Sequence, residues 1–333
     1  MTSPIPAVPA ASAVPPASAA PPFPATPPAS AVSPVSPAAP GTQALRDAED
    51  APVATGASVT LVASDLDRTL IYSSAALGLR MPDAEAPRLL CVEVYQHKPL
   101  SHLTETAASL LDELARTTVF VPTTTRTREQ YGRIRLPGPA PRFAICANGG
   151  HLLVDGESDP DWRTRVSRRL ATESASLAEV RARLLASADP AWLLKERVAE
   201  DLFAYLVVER SALPDGWVEE LGEWAGARGW TVSLQGRKVY AVPAPLTKSA
   251  AMREVARRTG ATLTLAAGDS LLDADLLLAA DHAWRPAHGE LAESGWSAPH
   301  VRATAEDGVA AGEEILRQLL RASRPDTPGR HHP

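Results

Sequence analysis

Apolar residues fall along this chain in short, sharply bounded runs. Residues 59–63 (VTLVA) make a run of strand length, rich in β-branched side chains, that stops at Ser64 and Asp65. A continuous apolar run ending in polar residues is the pattern of a strand buried on both faces of a parallel sheet. Residues 118–121 (TVFV), 143–146 (FAIC) and 262–266 (TLTLA) repeat it, each giving way to small polar residues. Between the runs the spacing becomes helical. With Ser101 as N-cap, Leu103, Ala107, Leu110, Leu111 and Leu114 line one helix face. Thr247 and Ser249 offer caps for a helix reaching about Thr259, which Gly260 is placed to end, and residues 307–321 read as a closing amphipathic helix. Strands alternating with helices predict an α/β fold with a doubly wound, Rossmann-like parallel sheet.

The texture changes at both ends and once in the middle. Of 31 prolines, 13 lie in residues 1–40, where Pro and Ala together fill 25 positions, and the first charged residue is Arg46. Such a stretch buries too little side chain to offset its ordering entropy, so residues 1–56 are expected to be a disordered, Pro/Ala-rich tail. It reads as a spacer, or as a weak docking point for a protein partner, and it lacks the basic and apolar regions of a signal peptide. Residues 323–333 are expected to be a second loose tail, which holds the His331, His332 pair. Between 151 and 236 lie five of the seven tryptophans (Trp162, Trp192, Trp217, Trp224, Trp230), so this segment has the makings of its own core. Residues 202–208 and 230–234 look like strands there and 216–228 like a helix. The reading is an α+β unit at 151–236 inserted into a core made of 57–150 and 237–322.

A length of 333 residues allows about two folded units at roughly 150 residues each. The charge sum of 33 − 39 gives −6, with no block of like charges, which argues against nucleic acid or an anionic membrane as partner. No apolar run reaches the roughly 18–20 residues of a membrane span. Cys91 and Cys146 stand alone, without CxxC spacing, so neither a disulfide framework nor structural zinc is expected and a reducing, cytoplasmic compartment fits.

In α/β sheets ligands bind beyond the carboxyl ends of the strands. Asp65, Asp67 and Thr69 follow the first strand, Thr123, Thr124, Thr125 and Arg126 the second, and Gly268, Asp269 and Asp273 a later one; Lys248 opens the helix before that last strand. Clustered carboxylates repel unless a hard cation neutralises them, and Mg²⁺ held by carboxylates, water and a substrate phosphate does so. Hydroxyls, backbone N–H groups and a lysine suit phosphate oxygens. The set predicts a magnesium-dependent phosphoryl-transfer site. Neither GxGxxG nor a Walker loop is present.

A strand ending in DxDxT, a hydroxyl after the second strand, a downstream lysine and GDxxxD resemble the haloacid dehalogenase superfamily of phosphatases over residues 58–322. The insert between the second and third motifs, and the ANGG turn at Ala147, Asn148, Gly149 and Gly150, resemble its type-two cap subgroup, which includes Cof-type, sucrose-phosphate and mannosyl-phosphoglycerate phosphatases. The resemblance implies that Asp65 attacks phosphorus to form an aspartyl-phosphate and that Asp67 serves as acid and then base. It implies that Thr124, or Thr123 one position earlier, holds the phosphate and that Lys248 offsets negative charge. Mg²⁺ would be held by Asp65, the main-chain carbonyl of Asp67 and Asp269, with Asp273 close by. The substrate would be a small, sugar-phosphate-like metabolite covered by the inserted cap. Two positions depart from the family: Arg68 stands where Gly is common and Leu272 where many members have Asn.

The same site would serve a phosphomutase or phosphotransferase, and without turnover it would be a phospho-ligand binding module. Arg126, Asn148 and Arg237 are further candidate substrate contacts. Arg126, Arg128, Arg133, Arg237 and Lys238 read either as solvated charges or as contacts for a second anionic group. Glu93 and Tyr95 fall in a flap after the first motif.

Overall fold

The computed structural model describes residues 58–324; the tail expected at 1–56 and all but the first two residues of the tail expected at 323–333 lie outside the described residues, and of those two Ser323 ends the last helix and Arg324 pairs with Glu113. A central sheet of five parallel strands carries β1 (Thr60–Ser64) in its interior. Its order is β14 (Val301–Ala303), β13 (His282–Arg285), β12 (Leu263–Ala267), β1 and β4 (Val119–Pro122). Every residue of β1 is buried, and successive side chains serve opposite faces. Leu61 and Ala63 pack with Ala251, Met252 and Val255 of α6 (Lys248–Thr259) and with Leu276 and Leu277 of α7 (Ala274–Ala279). Val62 packs on the other side with Leu111 and Leu114 of α1 (Glu105–Thr117) and Ile315 and Leu319 of α9 (Gly308–Ser323). Each Leu, Val, Ile or Met among them contributes about 1.5–3 kcal/mol on full burial, which is why the apolar runs hold the middle of the sheet. The expected doubly wound α/β architecture is present.

Chain order makes the site. From β1 the chain goes to β4 on one side and later returns to β12 on the other. All three motif loops thus leave the carboxyl ends of adjacent parallel strands, at the topological switch point. The ladder continues into them, since the Asp65 N–H donates to Ala267 O (2.9 Å) and the Thr123 N–H to Ser64 O (2.8 Å).

Three smaller sheets and two short helices, α2 (Arg128–Tyr131) and α8 (Glu290–Glu293), complete the unit. A hairpin of β2 (Leu89–Tyr95) and β3 (Lys98–Thr104) turns through Gln96 and His97, both at positive φ. The strands β5 (Phe143–Cys146), β6 (His151–Val154) and β7 (Glu157–Ser158) form an antiparallel sheet. An antiparallel four-stranded sheet runs β10 (Trp230–Gln235), β11 (Lys238–Pro243), β9 (Phe203–Val208) and β8 (Leu193–Ala199). Val239, Ala241, Ala204 and Leu206 on one face of it share a core with α3 (Pro160–Glu173), α4 (Leu177–Ser187) and α5 (Trp217–Gly226).

The helix at α6 stands as expected, capped by Thr247 and ended by Gly260 at φ 65°. Two elements differ from expectation. Ser101 does not cap α1: it lies in β3, its hydroxyl donating to Glu93, and Thr104 accepts the Ala107 N–H instead. Pairing with β2 carries the strand three residues further than local helix signals suggested. Residues 143–146 do not join the central sheet as a paired strand: β5 folds back on β6 and meets the Thr123 position only through an isolated bridge to Ile145.

Candidate active site

Lys248 is the first residue of α6 and has no solvent exposure. Its ammonium donates to Asp65 Oδ1 at 2.7 Å and to Asp273 Oδ1. The other Asp65 oxygen accepts from the Thr69 hydroxyl at 3.2 Å. The second Asp273 oxygen accepts from the Ser270 hydroxyl and N–H and the Asp269 N–H, 2.7–3.2 Å away, which shapes the loop after β12. One oxygen each from Asp65, Asp269 and Asp273 lies within 4.8 Å of the others. Two glycines make room for this. A Cβ at Gly268 would sit 2.4 Å from that of Asp273, and one at Gly289 (φ +92°) 2.7 Å from the Asp269 carboxylate.

Three carboxylates thus face one buried ammonium. Burial pushes the Asp65 carboxyl up to about 7 despite Lys248, and burial with the charges of Asp65 and Asp273 pushes Asp269 well above its usual range. Burial opposes the Lys248 charge, but Asp273 and Asp65 overcome that and hold the ammonium ionised. An all-oxygen donor set with excess negative charge fits a hard divalent cation such as Mg²⁺, which Asp65 and Asp269 would hold with Asp273 beside them.

Asp67 stands apart from this cluster. Its two oxygens accept from Arg126 Nε and Nη2, both at 2.7 Å, a bidentate pair. Its surroundings favour the neutral carboxyl, but the guanidinium more than offsets them and holds Asp67 below the usual range. Arg126 also donates to Glu93 Oε2 at 2.8 Å, and Glu93, buried in the hairpin, takes further bonds from the Ser101 hydroxyl (2.6 Å) and Arg133 (3.3 Å). The Arg133 guanidinium lies 4.3 Å from the centre of the Tyr95 ring. The flap is therefore tied to the first motif by charge.

The remaining expected residues are distributed as follows. Thr123 and Thr124 are both fully buried; Thr123 Oγ1 donates to Val121 O, whereas Thr124 Oγ1 accepts the Arg126 N–H at 3.1 Å. Asn148, at φ 55°, donates through Nδ2 to Leu246 O at 2.8 Å, and its Oδ1 is buried without a partner. Arg237 is exposed at the β10–β11 turn.

Several participants were not among the expected site residues, although the departure from Gly at Arg68 had marked that position. Arg68, at φ 63°, lies with Nε 3.6 Å from Asp269 Oδ2. His288 accepts the Gly308 N–H at Nδ1, so its Nε2 carries the proton and donates to Arg68 O at 2.8 Å, pinning that backbone. Glu290, just after Gly289, accepts from the Ser233 hydroxyl (2.6 Å), the Leu234 N–H (2.8 Å) and the Leu271 N–H (2.9 Å). One carboxylate thereby joins β10 to the loop that carries Asp269. At the other end of the same sheet, Glu200 accepts from the Arg128 N–H (2.8 Å) and lies 3.7 Å from His151, which shares a 2.6 Å hydrogen bond with Ser158.

No family model matches the chain, and no curated protein matches it in sequence. Among solved structures, the chain is similar to the sucrose-phosphatase from Synechocystis sp. PCC6803, solved with sucrose and phosphate. That match has a TM-score of 0.54 and 16% identity, and covers 79% of this chain and 98% of that one. A haloacid dehalogenase subclass IIB sugar phosphatase matches with a TM-score of 0.47 and 12% identity over 79% and 98% of the two chains. The C-terminal domain of a C. albicans trehalose-6-phosphate phosphatase matches with a TM-score of 0.45 and 12% identity over 78% and 91%. At this identity the likeness to the sucrose-phosphatase is one of fold, and it agrees with the α/β core that the ordered motifs implied. No helix among the described residues is long and apolar enough to cross a membrane.

Proposed function

We propose that this chain is a magnesium-dependent phosphatase that hydrolyses a small phosphorylated metabolite of the sugar-phosphate kind through an aspartyl-phosphate. The observation that carries this reading is the meeting of Asp65, Asp269, Asp273 and Lys248 at the carboxyl ends of adjacent parallel strands, with Asp67 two residues from Asp65. Bound among the carboxylates, Mg²⁺ would supply Lewis-acid charge to the phosphoryl oxygens. Asp65, with one oxygen on Lys248 and the other on Thr69, is oriented to attack phosphorus as the ester oxygen leaves. Asp67 gives a proton to that oxygen and later takes one from the water that attacks the acyl phosphate. Its pairing with Arg126 suits the second task, and Glu93 offers Arg126 an alternative acceptor while Asp67 holds a proton. Thr124 steadies a phosphoryl oxygen through its hydroxyl hydrogen, its Oγ1 being held by the Arg126 N–H. The segment 151–236 acts as a cap whose sheet closes over the core loops and excludes water.

Phosphate release from a panel of phosphorylated metabolites, with and without Mg²⁺, tests this for the natural chain and Asp65→Asn. Metal-dependent release that the isosteric change reduces by at least roughly 10³-fold is the expected result. Release that survives Asp65→Asn would overturn the mechanism.

A further inference from the structure

The cationic side chains of the site fall into two groups. Lys248 and Arg126 are committed, the first to Asp65 and Asp273, the second to Asp67 and Glu93. Arg68 and Lys238 are not. Arg68 has a buried Nε without a hydrogen-bond partner, and its one ion-pair neighbour among the described residues is Asp269 at 3.6 Å, a candidate ligand of the cation. Its left-handed backbone is a conformation that costs any residue with a Cβ, so an arginine there is held in place against strain. Lys238 makes no ion pair among the described residues; its ammonium lies 5.6 and 5.9 Å from the ring centres of Tyr205 and Tyr240.

Ladder geometry places Lys238 over the site. In the β9–β11–β10 register Tyr240 stands opposite both Tyr205 and Ser233, so these three side chains share a sheet face, and Lys238, two residues from Tyr240, shares it too. Ser233 reaches Glu290 of the core, which identifies this face as the one turned to the core loops. Asp67 and Lys238 lie in each other's field, and a Cβ at Gly236 would come 4.0 Å from Arg68 Nη1. Two cations free of hydrogen-bonded carboxylate partners, one from each side, thus line the mouth beside the carboxylates that would hold the divalent cation.

We propose that Lys238, seated on Tyr205 and Tyr240, together with Arg68 reads a second anionic group on the substrate, so that the preferred substrate is a phosphomonoester whose leaving portion carries a carboxylate or a further phosphate. This rests on the phosphatase reading and narrows its substrate class. A neutral leaving group would leave Arg68 with only the Asp269 carboxylate, which the divalent cation would share, and Lys238 with only the field of Asp67, already paired to Arg126, whereas an anionic one pairs both directly.

The test compares 3-phosphoglycerate with glycerol 3-phosphate, which differ at one carbon by carboxylate against hydroxymethyl, and fructose 1,6-bisphosphate with fructose 6-phosphate. Binding to the full chain carrying Asp65→Asn, measured by calorimetry in Mg²⁺, reads recognition without turnover. The expected result is tighter binding of at least one probe that bears the second anionic group over its partner by about 10-fold or more, the size of a charged hydrogen bond. Which pair shows it separates carboxylate from phosphate. Adding Lys238→Gln should bring that ratio towards one, while Lys238→Arg keeps most of it, which a merely structural lysine would not do. Equal binding within both pairs, no binding of any probe, or a ratio unmoved by Lys238→Gln would overturn the inference. Phosphate release from other esters by the natural chain would leave the phosphatase reading standing in that event, and its absence on every ester would remove that reading as well.

Discussion

Lys248→Met removes one charge from the centre of the molecule while keeping most of the side-chain length. The lysine is fully buried between Asp65 and Asp273, themselves 7% and 0% exposed, so its loss strands carboxylates that water cannot reach. Breaking a buried pair by deleting one partner costs about 3–5 kcal/mol. For a folded unit of this size each kcal/mol corresponds to about 2–4 °C, so the melting temperature should fall on the order of 10 °C in metal-free buffer. The fall should depend on pH with a definite sign. Without its cation Asp65 is pushed still further above the unfolded carboxyl value of about 3.9, so the folded state binds protons that the unfolded state has released. That contribution to stability is present in acid and lost as pH rises through the raised folded value. The gap between the two proteins is therefore expected to be widest near pH 8 and narrowest near pH 5. Saturating Mg²⁺ should stabilise the variant more than the natural chain, because the carboxylates have then lost their other positive partner. Thermal unfolding of the full chain in chelator and in Mg²⁺ at both pH values checks all of this. A drop under about 2 °C that is equal at pH 5 and pH 8 would refute the account of Lys248 as the charge that holds the cluster together.

Gly289→Ala should weaken Mg²⁺ binding by about 10-fold or more, since its Cβ would displace the Asp269 carboxylate from a strained φ of +92°; titration calorimetry reads it. Glu290→Gln substitutes an amide for an acceptor of three hydrogen bonds, so amide exchange at Leu234 and Leu271 should quicken by about 10-fold or more. Glu93→Gln weakens the alternative acceptor of Arg126, and kcat should fall by about 10-fold with little change in KM. Burial holds His151 neutral, with its value lowered to about 4 from 6.5. Between those values the unfolded chain takes up a proton that the folded one refuses, so stability falls as pH drops from 7 to 4.5, by roughly 2–3 kcal/mol for this group. His151→Gln should show that much less loss in acid unfolding.

What the residue pattern disclosed was whatever depends on neighbours in sequence. The parallel strands announced themselves because burial on both faces demands unbroken apolar runs, and the strand-end carboxylates could be collected because parallel strands present their carboxyl ends together. Thr247 and Gly260 marked the ends of α6 by local hydrogen bonding and by backbone conformation. Ser101 failed for the complementary reason. As a local signal it was a sound cap, but six positions paired with β2 and a bond to the buried Glu93 outweighed the cap. Residues 143–146 had the composition of a parallel strand, yet the ANGG turn returns the chain at once to β6.

The partners of the candidate site residues were out of reach for a different reason: their separation along the chain. Arg126 lies 59 residues from Asp67 and 33 from Glu93, and Glu290 lies 57 from Ser233. Nothing in the spacing of charges identifies which of many arginines ends on which carboxylate, because only register decides it. Register also decides the place of Lys238. Its side-chain direction follows from an odd or even count along β11, and a shift of one residue would turn it to the helical face and put Val239 over the site. On the proposed reading the reaction needs only the strand ends, while the choice of substrate rests on the hairpin whose pairing holds Lys238 in place. Substitutions that alter β10–β11 register should change which phosphomonoester is bound before they change how the phosphoryl group is attacked.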